Sequence, residues 1–269
     1  MTAALAEFAQ LAPLGFAVGL YGTLVGAGGG FVLVPALLLL TDDRPAAVTS
    51  TALAVVFFNA YTGTIAYARM RRIDYFAGVL FALAGAPGAV LGTVLAHRID
   101  RAQFEPLFGV TLLAAGAWLA LRRSGVAPAA RTAGDPAETA AGAATRFNSL
   151  AGALVGAYVG LFSSLMGIGG GIIQVPFLVL VLGFQPHVAT ATSQLVLMVL
   201  SLVATIAHLA QGSFDGGLDH TMYLAVGVMM GAPFGAMLSS RVRGSVIVRL
   251  LALALCLVGC RLLIGRVLN

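Results

Sequence analysis

The residues best placed to do chemistry in this chain are glycines, hydroxyls and amides, not charged groups. Gly26-Ala27-Gly28-Gly29-Gly30 is followed by Pro35, and Gly167-Ile168-Gly169-Gly170-Gly171 is followed by Pro176. Adjacent glycines interrupt an apolar helix and free backbone N–H and C=O groups, which a bilayer tolerates only where they line a cavity or hold a ligand. A helix that restarts after such a break points its positive dipole end and unpaired N–H groups into that space, which is anion chemistry. Gly28, Gly29, Gly30, Gly169, Gly170 and Gly171 are therefore candidate substrate-binding residues. Close helix packing is the competing use, but it spaces small residues four apart. Neither run is a dinucleotide fingerprint, because Phe31 or Leu33 stands where the last glycine of G-x-G-x-x-G is needed.

A second set consists of neutral donors: Thr49, Ser50, Thr51 and Asn59 in one half, and Thr190, Thr192, Ser193 and Gln194 in the other. Such groups can complete the shell of an oxyanion without a fixed charge. Their ordinary use in membranes is hydrogen bonding between helices. His208 lies in an apolar span and is the one candidate proton carrier, a role that competes with simple packing. A hydrolase using Ser163 or Ser164 with His208 would need a serine motif and an orienting acid, and neither is found. No catalytic residue, metal or cofactor is expected, and the chain is not expected to be an enzyme.

These residues sit in a duplicated frame. An offset of 141 positions carries Gly28 to Gly169, Pro35 to Pro176, Pro45 to Pro186, Thr51 to Thr192 and Asp74 to Asp215 without a gap. The register then slips by five at Gly216-Gly217-Leu218-Asp219-His220, after which Gly85-Ala86-Pro87 matches Gly231-Ala232-Pro233. A mean hydropathy of +0.99 with 9% charged residues excludes an ordinary soluble domain, where charge is about 25%. The expected class is all-α, a polytopic helical membrane protein with two four-segment repeats. The net charge of +5 is carried by Arg alone and lies in short connections, where it signals topology and not nucleic-acid binding. Cys256 and Cys260 read as packing or lipid-facing thiols, and the chain start lacks the basic region of a cleavable signal peptide.

Along the chain, residues 1–10 form a short lead with one charge, Glu7. Leu11 to Leu40 is uncharged, and as one straight helix it would measure about 45 Å against a bilayer core near 30 Å. Two half-helices joined at the glycines resolve the mismatch. Spans follow to about Tyr67, over 75–96, where Gly85, Gly88 and Gly92 mark a face buried on a neighbour, and to Trp118–Arg122. Residues 1–122 form the first repeat, 123–146 a flexible linker and 147–269 the second repeat, with a broken segment at 148–182 and spans near 187–210, 219–240 and 245–265. The loop at 69–72 holds three Arg while its counterpart at 210–213 holds none, which favours inverted repeats, although 98–101 and 241–243 are both basic.

With these motifs assembled, the chain resembles the sulfite exporter TauE/SafE family of membrane permeases. The matching features are the paired Gly-x-Gly-Gly-Gly segments ending in Pro35 and Pro176, the Ala-Val-Thr-Ser-Thr and Ala-Thr-Ala-Thr-Ser helix starts, and the two Gly-Ala-Pro motifs. The resemblance spans nearly everything outside 1–10 and 123–146. It implies a multi-pass transporter of small sulfur-containing anions such as sulfite, sulfonates or sulfoacetate, in a bacterial inner membrane. The expected reading is a secondary transporter, an exporter, working by alternating access. Its partners are the small anionic substrate and the lipid bilayer, with no nucleic acid and assembly as a homo-oligomer left open. An anion channel, or a membrane enzyme or sensor, are the alternatives.

Overall fold

A computed structural model describes residues 2–41, 43–121, 149–214 and 218–267, and the expected linker at 123–146 lies outside them. Every regular element among the described residues is a helix: α1 (Thr2–Val25), α2 (Gly30–Leu40), α3 (Pro45–Arg69), α4 (Tyr75–Ala96), α5 (Arg101–Leu121), α6 (Ser149–Met166), α7 (Gly171–Leu180), α8 (Pro186–Ala210), α9 (Leu218–Arg241) and α10 (Gly244–Val267). Seven of them are long and apolar enough to cross a membrane, while Gly30–Leu39, Leu154–Met166 and Gly171–Leu180 are shorter apolar stretches. Backbone groups in hydrocarbon must be satisfied within the segment, so apolar runs of this length become helices. Local signals set the ends. Pro45 and Pro186 occupy the first positions of α3 and α8, where proline's missing N–H costs nothing. The Asp74 carboxylate caps α4 by accepting from the Ala77 N–H at 3.0 Å.

The two broken segments each become two helices, as the glycines require. The first differs from expectation in length. Its α1 starts at Thr2, within the stretch expected as a lead, because residues 2–6 are Ala- and Leu-rich helix formers and carry no charge. The partners of α2 are thus one full-length helix and a hinge, not a matching half-helix.

Contacts define how the elements run. Ser50, at the start of α3, donates to the Ser213 carbonyl just past α8, and the Asp74 N–H just past α3 donates to Thr192 near the start of α8 at 3.0 Å. So α3 and α8 lie antiparallel. In α1, Gly15 and Gly19 meet Leu224 and Val228 of α9, and in α4, Gly85, Gly88 and Gly92 meet Gly156, Ala157 and Leu161 of α6. Each contact orders both chains the same way, so α1 runs with α9 and α4 with α6. The small-residue face read on the third span is therefore the α4–α6 contact, where backbones touch.

Each hinge turns the chain back. Arg101, at the head of α5, donates to the Leu38 and Thr41 carbonyls at the end of α2, so α2 returns to the end where α1 began. In the other half Phe177 of α7 stacks edge-on against Phe81 near the start of α4. The two hairpins enter from opposite ends and their tips meet in the middle: a side chain on Gly30 would strike the Gly167 carbonyl, and one on Gly171 the Gly26 carbonyl. Arg69, Arg71, Arg72, Arg241 and Arg243 gather at the end where α3 finishes and α8 begins, and Arg44, Arg98 and Arg101 at the other. The two basic loops that seemed to conflict, 98–101 and 241–243, thus lie at opposite ends.

Candidate functional site

Both hinges hold glycines in left-handed backbone: φ is 77° at Gly26, 75° at Gly28 and 81° at Gly29, against 70°, 82° and 94° at Gly167, Gly169 and Gly170. Only glycine adopts this region freely, which is why three per hinge are needed. The bend closes on its own helix. Ala27 and Gly28 N–H groups donate to the Gly22 carbonyl in the first hinge, and Ile168 N–H donates to Ser163 in the second. The N–H groups of Gly29, Gly30 and Phe31 opening α2, and of Gly170, Gly171 and Ile172 opening α7, have no backbone acceptor. Gly29 and Gly170 cap these helices with no side-chain hydrogen bond.

The polar residues flagged in the sequence divide into three groups. Asn59, Ser193 and Gln194 serve the first hinge through its carbonyls: Asn59 Nδ2 donates to Gly28 at 3.0 Å, Ser193 Oγ to Gly26 at 2.9 Å and Gln194 Nε2 to Gly22 at 3.4 Å. Asn59 Oδ1 also accepts from Thr23 Oγ1 at 3.0 Å. Thr49 and Thr190 pack on the hinges, against Gly167 and Gly26, while their hydroxyls bond back to the Ala46 and His187 carbonyls. Ser50 and Thr192 tie helix ends to loops, as described, and Thr51 is buried one residue further along α3. Most of these donors are already engaged within the protein.

The second hinge is different. Ser163, Ser164 and Gln174 flank it on α6 and α7, all buried, and the Ser163 and Ser164 hydroxyls and both amide atoms of Gln174 have no hydrogen-bond partner. Ser163 Oγ would lie 3.1 Å from a Cβ placed on Gly170, so it faces the opening of α7. An unpaired buried polar atom costs about 1–3 kcal/mol, and a polar ligand could satisfy the four gathered around this helix start. The sequence reading missed Gln174. Its signal was there: the repeat offset puts Leu33 at the matching position, so an amide replaces an apolar side chain in an apolar run.

His208 does not reach the hinges. It lies three turns beyond Leu197, about 16 Å along α8, with Nδ1 3.3 Å from Ser213 Oγ. His97, unflagged in the sequence, places Nε2 2.5 Å from the same hydroxyl and its ring 5.3 Å from that of His208. Since Ser163 and Ser164 have no partner, neither forms the serine–histidine pair that a hydrolase would require. Among the described residues no group of three His, Cys, Asp or Glu could hold a metal, and Cys256 and Cys260 are free thiols.

Between the hinges, Val56 of α3 and Leu197 of α8 are fully buried and both abut Gly28 and Gly169. Two broken-helix hairpins around a closed apolar centre, inside a shell of long apolar helices, have the architecture of a multi-pass membrane protein. The chain belongs to the sulfite exporter TauE/SafE family, whose sequence model matches residues 11–262. It is 28% identical to the probable membrane transporter protein YunE of Bacillus subtilis, over 96% of this chain and 97% of that one. It is 31% identical to a probable membrane transporter protein of Xylella fastidiosa, over 86% and 83%, and 27% identical to one of Methanocaldococcus jannaschii, over 83% and 82%. No solved structure matches the chain.

Proposed function

We propose that this protein is a secondary transporter that exports a small sulfur-containing anion such as sulfite, a sulfonate or sulfoacetate across a bacterial inner membrane. The substrate is held by the free N–H groups at the starts of α2 and α7. The observation that carries this reading is the second hinge, where the unpaired Gly170, Gly171 and Ile172 N–H groups adjoin the unpartnered Ser163, Ser164 and Gln174 side chains. Oxyanions accept hydrogen bonds from every direction, so they fit a cradle of neutral donors at a helix start.

The halves 1–122 and 147–269 act as inverted repeats, and antiparallel α3 and α8 with hairpins from opposite ends support that topology. The buried Val56–Leu197 contact supports alternating access over an open channel, because it closes the space between the two hinges with apolar side chains. Among the described residues no carboxylate lies at the hinges. Anion exit is favoured by an interior-negative potential, at about 2.3 kcal/mol per charge per 100 mV, so the gradient and potential suffice to drive export, and His208 is the candidate where a proton is coupled. In liposomes, external sulfite should accelerate efflux of labelled internal sulfite. Efflux that external sulfite does not stimulate would indicate a channel, and no flux of any sulfur anion would remove the reading.

A further inference from the structure

The arginine-rich end carries a second polar feature that the hinges do not explain. In the loop after α3, the Nη1 atom of Arg72 is buried with no hydrogen-bond partner, and so is Nδ1 of His187 in the first turn of α8. Ile73, next to Arg72, packs in one cluster with Ala191, one turn past His187, which brings the two side chains to the same corner of the fold. The loop is held in place: the Asp74 N–H bonds to Thr192, and the Arg72 N–H bonds back to the Tyr67 carbonyl at 3.3 Å. Asp74, the nearest acid in sequence, turns its carboxylate to the Ala77 N–H at the head of α4. A guanidinium nitrogen and an imidazole nitrogen, each buried without a hydrogen-bond partner at the same end of the bundle, make an incomplete site. Burying a donor of a cationic group without an acceptor is costly, and an anion placed between the two would satisfy both.

The position fits a station on the way to the hinge. Thr190, whose hydroxyl bonds to the His187 carbonyl, packs directly on Gly26, and Tyr67 Oη donates to the Thr23 carbonyl at 2.9 Å in the turn before it. Arg69, Arg71, Arg241 and Arg243 are exposed at the same end, so the approach is cationic. The repeat offset puts Ser213 opposite Arg72 and Ala46 opposite His187.

We propose that Arg72 and His187 form an anion-binding vestibule on one face only, the arginine-rich face, which collects the oxyanion before it reaches the first hinge. By the excess of arginine this face is cytoplasmic, the loading side for an exporter. This rests on the transport reading, so its test includes a readout that does not need transport. The chemistry suits either a free sulfur oxyanion or an anionic lipid phosphate.

Purified protein in lipid-free detergent should gain thermal stability with sulfite. In Arg72→Gln the sulfite concentration needed for half the gain should rise about ten-fold or more, the range for a lost charged hydrogen bond. Arg72→Lys should recover part of the affinity and His187→Gln should lose part of it. In liposomes, Arg72→Gln should lower flux at subsaturating sulfite by a similar factor and leave maximal flux within about two-fold. Unchanged sulfite protection in Arg72→Gln overturns the proposal even where flux is normal. Arg72-dependent protection by phosphatidylglycerol vesicles but not by sulfite would assign the site to lipid and overturn it as well. Arg72-dependent sulfite protection without flux would keep the vestibule and remove the transport reading.

Discussion

The balance between Gln174 and Asn59 shows how differently two buried amides act in one protein. Asn59 satisfies the Gly28 carbonyl and accepts from Thr23, so it holds the first hinge together. Gln174 satisfies nothing in the protein, although it is 2% exposed. Replacing each with leucine should therefore affect stability differently. Asn59→Leu should lower the thermal midpoint, since it leaves a buried carbonyl and hydroxyl unpaired at about 1–3 kcal/mol. Gln174→Leu, which copies Leu33 of the other half, should hold or raise the midpoint without anion and weaken sulfite flux about ten-fold. A midpoint lowered by Gln174→Leu would show that the amide is structural. The sequence singled out Asn59, Ser193 and Gln194 as candidate donors to the substrate. It could not tell capped carbonyls from open donors, because that depends on which backbone groups the fold leaves unpaired.

Among the elements, the connection from α3 to α4 carries a strain that its counterpart avoids. Arg71 sits at φ 54°, while Gly212, at the matching position after α8, sits at φ 68°. The turns are alike, since Arg72 N–H returns to Tyr67 and Ser213 N–H to His208. Left-handed backbone costs a non-glycine residue about 1 kcal/mol or more. Gly212 has open space around it, so Gly212→Ala should lose roughly that much from backbone strain alone. Arg71→Gly should not lower the thermal midpoint, because relief of strain offsets glycine's extra freedom in the unfolded chain. A drop on Arg71→Gly as large as that on Gly212→Ala would mean that the arginine makes stabilising contacts. Helix positions were legible from the apolar runs and from Pro45, Pro186 and Asp74. The start of α1 was not, because a single charge at Glu7 suggested a boundary, yet Glu7 stands 3.8 Å from His220 on the parallel neighbour α9.

For the whole molecule, the direction of the two hairpins decides the topology. The sequence left this to an arginine count that two basic loops contradicted. The contacts of Ser50 with Ser213 and of Asp74 with Thr192 place the matching loops at opposite ends. In a background with Cys256 and Cys260 replaced by alanine, Arg71→Cys and Gln211→Cys should react with an impermeant maleimide from opposite membrane faces. Reaction from the same face would contradict inverted repeats. What no residue pattern could show is that the halves interlock, with α1 running along α9 and α4 along α6, so that each half's first helix is buried by the other half.

The most direct test of the central claim is sulfite counterflow in liposomes with the second hinge altered. A methyl group on Gly170 would meet Ser163 Oγ at 3.1 Å and occupy backbone at φ 94°, at the mouth of the cradle. Gly183→Ala, with φ 69° and nothing near it, is the control for strain alone. Gly170→Ala should purify as a single species with counterflow lost, while Gly183→Ala keeps it. Counterflow by Gly170→Ala at the wild-type rate would contradict the account, because the hinge would then be a packing device and the anion would bind elsewhere.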